Sequence, residues 1–234
     1  MEDRKEERLY IHSIFESISG EAGGFLQGTW CTFVRLSICN LRCVWCDTKD
    51  AQTLNGESKT MSITEIVDMV KGYGNKHVLI TGGEPLVQYE GTVELLQALI
   101  NEQFIVQVET NGSIAVPDHV HPVNWVFDYK CPSSEQQHKM LGVTRLVANA
   151  YDAQKGGSKV FLKWVIGNSV DLNYALDRIP VIIERNPDIL NLVSPLDADG
   201  SKIENMVDEI RIRCPEILDK IVFSVQIHKI CLMA

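Results

Sequence analysis

The sequence predicts an α/β fold: an incomplete, TIM-like β/α barrel of about six βα units, in one domain spanning residues 1–234. Three observations carry that expectation. Short apolar runs rich in β-branched residues alternate with amphipathic segments along the chain, the pattern of parallel βα units. The 234 residues fall short of the roughly 250 that a full eight-unit barrel takes. Polar or glycine-rich residues stand at the C-terminal end of nearly every strand, the edge where parallel α/β folds bind ligands. Such junctions are polar in most proteins. Here, however, Glu, Asp, Lys and His emerge from apolar strands, and charges avoid full burial unless paired.

The elements follow in order. Residues 9–19 read as a strand and lead into a glycine-rich loop, Gly20-Glu21-Ala22-Gly23-Gly24. A second strand covers 29–37, and a long polar loop runs to Lys59. Ser62-Ile63-Thr64-Glu65 is a capping box, so a helix starts there; Ile66, Val67, Met69 and Val70 are its apolar face, and Gly72 and Gly74 end it. Strands are expected at 77–81, 104–109, 125–130, 160–166, 190–193 and 221–227, with helices at 93–101 and 203–213. A helix over 170–185 should break at Pro180.

Composition narrows the function classes. Thirty-one acidic against 22 basic side chains give a formal charge of −9, with no basic face for a nucleic-acid backbone. No apolar run approaches the roughly 18 residues of a membrane span. Residues 1–8 are charged and mixed in sign, without a signal-type apolar stretch, so a cytoplasmic location is expected. Seven cysteines, an odd number in such a chain, do not suggest a disulfide framework. Cys31, Cys131, Cys214 and Cys231 read as small packing residues.

Cys39, Cys43 and Cys46 are different. Their spacing, C-x3-C-x2-C, brings three thiolates within reach of one soft metal centre. Structural zinc takes four protein ligands, and no fourth Cys or His lies nearby in sequence. On a four-iron cluster, three thiolates leave one iron open to a small molecule. The alternative from a different class is a non-catalytic zinc or Fe–S module with a distant fourth ligand.

With Thr81-Gly82-Gly83-Glu84-Pro85, this motif resembles the radical S-adenosylmethionine (SAM) superfamily. The resemblance implies a [4Fe-4S] cluster on Cys39, Cys43 and Cys46, with SAM on the open iron. It places Trp45, Asp47, Gly83, Glu84, Ser133, Ser194 and Gln226 at the SAM site. Further segments are similar to the 7-carboxy-7-deazaguanine synthases: Phe15 to Glu21, Phe33-Val34-Arg35-Leu36, Cys46-Asp47-Thr48, Val108 to Gly112, Asp128 to Ser133, and Gln226 to Lys229. That family implies Mg²⁺ on Thr48 and a pterin substrate held by Ile18, Ser19, Gly20, Arg35, Thr81, Glu109, His228 and the terminal Ala234. Residues 1–28 then form an N-terminal extension that contributes to the substrate site.

The implied reaction is a ring contraction. A 5′-deoxyadenosyl radical takes hydrogen from C6 of 6-carboxy-5,6,7,8-tetrahydropterin, and the substrate rearranges with loss of ammonia. 7-Carboxy-7-deazaguanine forms, on the route to queuosine-type tRNA bases, and SAM is regenerated. The implied electron donor is a flavodoxin or ferredoxin, and a homodimer is compatible with the resemblance. A radical SAM activase that installs a glycyl radical on a partner protein is the second enzyme reading. Three departures stand out: Ser19 where many members have Gln, Ala22 where Gly is common, and Ile38 where a small residue precedes the first cysteine.

The residues make chemical sense beside the resemblance. Guanidinium pairs well with carboxylate, which suits Arg35 to an anionic substrate. Glu109 is an acceptor for the N–H edge of a pterin. Read alone, Arg35 is equally a strand charge paired with a neighbouring acid, His228 a surface histidine, and Trp45 and Trp125 core aromatics.

Overall fold

A computed structural model describes residues 7–54 and 57–232. Its strands are β1 Arg8–Ile18, β2 Trp30–Leu36, β3 Lys59–Ser62, β4 His77–Gly82, β5 Ile105–Thr110, β6 Asn124–Asp128, β7 Lys159–Ile166, β8 Leu190–Pro195 and β9 Ile221–Phe223. The helices are α1 Ile63–Tyr73, α2 Tyr89–Asn101, α3 Val143–Lys155, α4 Ser169–Leu176, α5 Ile179–Arg185, α6 Lys202–Arg213 and α7 Ile227–Ile230.

All nine strands form one sheet in the order β3-β1-β2-β4-β5-β6-β7-β8-β9. β1 is antiparallel to β2 and β3. From β2 onward every pairing is parallel, six in all, and follows chain order. A strand order that never reverses is a barrel's progression, not that of a doubly wound sheet. Among the described residues, the ends β3 and β9 are edges with no further strand beyond them, so the barrel is partial and the six expected units are present.

The period of two along a strand sorts the side chains into two sets. Val34, Val78, Ile80, Val106, Val108, Trp125, Phe127, Leu162 and Trp164 face the helices and join Ile66, Leu95, Leu99, Leu146 and Ile210 in the main core. The alternate residues face inward. Near the strand starts they are apolar, with Phe33 and Leu79 in one small cluster and Val126, Phe161 and Leu192 in another. Towards the C-terminal edge the same face carries Arg35, Thr81, Glu109, Asp128 and Lys163.

The capping box forms as expected. The Ser62 hydroxyl accepts from Glu65 N at 3.2 Å, the Glu65 carboxylate accepts from Ser62 N at 2.7 Å, and Gly74 ends α1 at φ 77°. The break at Pro180 is real, since α4 stops at Leu176 and α5 restarts at Ile179 with the proline in its first turn. Elsewhere the structure departs from the expectation. α2 begins at Tyr89, four residues early, and the last strand stops at Phe223 because residues 224–226 turn towards α7. β3 and α3 fall where no element was expected. β3 has four residues on a sheet edge, and α3 buries only Leu146, Ala150 and Ala153, too thin an apolar stripe to show as periodicity. Among the described residues, no helix is long and apolar enough to cross a membrane.

The two chain ends meet over the C-terminal edge of the sheet. Gly20 O accepts from Ile227 N at 2.9 Å, and Ser224 Oγ accepts from Ala22 N at 3.2 Å. Phe25 N donates to Gln107 Oε1 at 3.1 Å, which anchors loop 19–29 to the inner face of β5.

Candidate functional site

The cysteine loop follows β2 and is built onto the end of β4. Gly83 N donates to Leu36 O and Glu84 N to Ile38 O, each at 2.8 Å. That approach explains the glycines. A Cβ on Gly82 would lie 2.2 Å from Leu36 O, one on Gly83 would lie 2.1 Å from Ile38 O, and Gly82 has φ 121°. The pair is therefore required by protein backbone as well as by any ligand. Ile38 turns the chain at φ 77°, a strained position for a β-branched residue. This gives a physical reason for a small residue before the first cysteine.

Cys39, Cys43 and Cys46 line one cavity. Burial pushes the Cys43 thiol up to about 11; Asp128, Cys46 and Cys39 add to the shift and Lys130 opposes it. Cys39 is raised too, chiefly by burial, against the Leu41 N–H that donates to its sulfur at 3.4 Å. Such thiols hold their protons at neutral pH until a metal displaces them. Among the described residues, no three His, Cys, Asp or Glu side chains close on a single ion. In a four-iron cluster each thiolate binds a different iron, so three cysteines along one wall suit a cluster better than a zinc ion. Thr48 lines the same cavity, with Oγ1 3.8 Å from Cys46 Sγ.

Trp45 is oriented from two sides. Its Nε1 donates to Ser133 Oγ at 3.1 Å, and Lys130 Nζ lies 4.9 Å from the ring centre. Ser133 is itself held by its N–H to Asp171 Oδ1 at 2.8 Å. Trp45 is only part-buried and lines the cavity, whereas Trp125 is fully buried in the core.

Across the cavity stands the charged inner face of the sheet. Arg35 has no ion-pair partner among the described residues, and its guanidinium lies 5.6 Å from the Phe15 ring centre. A strand charge neutralised by a neighbouring acid is thus not what the structure contains. Glu109 accepts from Thr81 Oγ1 at 3.2 Å. Burial, reinforced by Glu21, raises its carboxyl to about 7. Asp128 is the opposite case. Burial works against its charge, but Lys130 at 2.9 Å and Lys163 at 3.3 Å outweigh it and hold the carboxyl near 2. Lys163 also pairs with Glu21 from loop 19–29. His228 packs on Gly20, where any Cβ would overlap its ring, and burial lowers its pKa.

A model of the radical SAM superfamily matches residues 34–121, which include the three cysteines. A 7-carboxy-7-deazaguanine synthase from Clostridium acetobutylicum is 33% identical over 221 residues, 92% of this chain and 92% of its own length. The chain belongs to the 7-carboxy-7-deazaguanine synthase family. A synthase from Thermoplasma acidophilum is also 33% identical, over 86% of this chain and 88% of the relative. Among solved structures, QueE from Escherichia coli superposes with a TM-score of 0.71 at 20% identity, covering 94% of each chain, so the two share a fold.

Of the residues expected from sequence, Gly20, Arg35, Trp45, Asp47, Thr48, Thr81, Gly83, Glu109, Gln226 and His228 reach the cavity with the cysteines. Others do not. The Glu84 carboxylate is fully buried and accepts from Leu86 N, Thr110 Oγ1 and Asn111 N at 2.7–3.0 Å. It fastens the cysteine loop to β5, and the carboxylate does not line the cavity. Ser194 is buried off the cavity, Ser133 acts through Trp45, and Ile18 ends β1 in pairing with Trp30. Ser19 is buried, with backbone bonds to Thr29 and Gly28, so its difference from Gln falls on a residue held by main chain. Ala234 lies outside the described residues. The sequence reading placed Asp128, Lys130 and Lys163 at the strand ends where ligands bind and Glu21 in the segment similar to the family's, but gave none of the four a role at the site. All four line the cavity. The readable signal for Asp128 and Lys163 is a charged residue inside an otherwise apolar strand.

Proposed function

We propose that this cavity carries out the 7-carboxy-7-deazaguanine synthase reaction on a carboxylated tetrahydropterin. The observation that supports it most directly is that Arg35, without an ion-pair partner among the described residues, and a buried Glu109 stand on the wall facing three cysteines. A bound [4Fe-4S] cluster and SAM supply the one-electron chemistry of the ring contraction. The protein binds and orients. Arg35 takes the substrate carboxylate, a bidentate match for its guanidinium. Glu109, bonded by Thr81, accepts from the N–H edge of the pterin ring. His228, kept neutral by burial, can donate or accept from the opposite side. Loop 19–29 and the segment from Ser224 to His228 roof the site and exclude water.

Thr48 offers a hydroxyl oxygen for Mg²⁺, a hard cation that keeps few protein ligands and takes the rest from substrate and water. Trp45, locked by Ser133, presents a flat surface for the adenine of SAM. The electron donor is a flavodoxin or ferredoxin type of protein. An anaerobic assay with reconstituted protein, dithionite, SAM and Mg²⁺ tests the reading. Ammonia and 7-carboxy-7-deazaguanine should form from 6-carboxy-5,6,7,8-tetrahydropterin. Cluster assembly and SAM cleavage without that product would overturn it.

A further inference from the structure

Among the described residues, loop 19–29 makes one ion pair, between Glu21 and Lys163. Both side chains are nearly dry, 11% and 9% exposed. Lys163 rises from the inner face of β7 and also lies 3.3 Å from Asp128 Oδ2 on β6. The other Glu21 oxygen accepts from Gln226 in the C-terminal segment. One carboxylate of the roof is thus gripped by the barrel on one side and by the opposite chain end on the other. Without Lys163, Asp128 would keep Lys130, but the nearly dry Glu21 carboxylate would keep only the Gln226 amide and no cation. A buried charge left without its partner is costly, and the roof is the part free to yield.

We propose that Lys163 is a positioning residue that sets how closely loop 19–29 seats over the pterin pocket, and so governs substrate affinity. This rests on the proposed pterin site. Lys163 need not touch the cluster or SAM; it acts by fixing Glu21, and through it Gly20 and the His228 ring packed on that glycine. A lysine that only stabilised the fold would change the melting temperature and leave the loop's exchange and the substrate KM in place.

The experiment uses reconstituted holoenzyme with Lys163→Met, Lys163→Arg, Glu21→Gln and the Glu21→Gln/Lys163→Met pair. Lys163→Met should speed amide hydrogen exchange in residues 19–29 at least tenfold and raise the pterin KM at least tenfold. The visible spectrum of the cluster and SAM cleavage without pterin should not change. Glu21→Gln, which leaves Lys163 on Asp128, should move both readouts the same way by less. The double variant should be no worse than Lys163→Met alone, the non-additivity of one shared contact. Lys163→Arg should restore most of the protection. Unchanged loop exchange and KM in folded Lys163→Met, or additive losses in the pair, would overturn the proposal. If Lys163→Met does not fold, unchanged exchange and KM in Glu21→Gln would do so. Should the wild type turn over no pterin, the proposed function fails, while exchange in loop 19–29 still decides whether Lys163 seats the roof.

Discussion

The cysteine wall and the charged sheet face line one cavity but are built in opposite ways. The wall is local: Cys39, Cys43 and Cys46 come from one loop, burial pushes the Cys39 and Cys43 thiols up, and backbone bonds to Leu36 and Ile38 fix its shape. The face is dispersed: Arg35, Glu109, Asp128 and Lys163 come from four strands and meet only because the strands are in register, and of the four only Asp128 and Lys163 pair with each other. A local wall can present a motif to be read. A dispersed face shows itself only when the topology is known.

The same contrast decides what was legible. The cysteine spacing, the capping box and the break at Pro180 are short-range features with short-range causes, and they hold in the structure. Lys163 sits in the run Val160-Phe161-Leu162-Lys163-Trp164-Val165-Ile166, where both neighbouring faces are buried. A strand in a parallel sheet covered on both sides reads as continuous apolar sequence, so the alternation that would assign Lys163 to the inner face is hidden. The orientation of the Glu84 side chain is hidden for a related reason. Whether its carboxylate turns to a ligand or to Thr110 and Asn111 depends on the end of β5, 26 and 27 residues on.

Breaking the wall should have the largest effect. Cys43→Ala removes a thiolate from the set of three, and turnover should fall to background, with iron content after anaerobic reconstitution well below that of the wild type. A full iron complement with wild-type absorbance would separate Cys43 from the cluster and erase the distinction between the two regions.

The charged face should respond by degree. Arg35→Met leaves the substrate carboxylate without its cation, a loss of about 2–4 kcal/mol when a buried charge pair is cut. That corresponds to roughly 30- to 1,000-fold in kcat/KM, with the cluster spectrum intact. An equal loss on a substrate lacking the carboxylate would show that Arg35 does not read it.

Thr48 stands where the wall meets the face, beside Cys46. Thr48→Ala should shift the Mg²⁺ dependence of turnover about tenfold towards higher concentration and leave the spectrum of the cluster unchanged. Titrations that superpose with the wild type would remove Thr48 from the metal site.

The smallest effect separates two carboxylates on the face itself. Glu109 has a folded pKa raised from 4.5 to about 7, so the folded chain keeps a proton that the unfolded chain has released. Its contribution to stability therefore falls as pH rises from about 4.5 to 7 and is flat above. Asp128, lowered to about 2, contributes stability that is present above its ordinary 3.8 and lost as pH falls through about 2. Glu109→Gln should thus match the wild type in denaturation midpoint near pH 4.5 and exceed it at pH 8, by a few kcal/mol at most at about 1.4 kcal/mol per pKa unit. Asp128→Asn should lower stability at pH 8, because it leaves Lys130 and Lys163 with less compensation. Chemical denaturation at the two pH values checks both. If the two variants moved together at pH 8, the inner face would not hold one carboxyl poised to keep its proton beside another fixed as an anion.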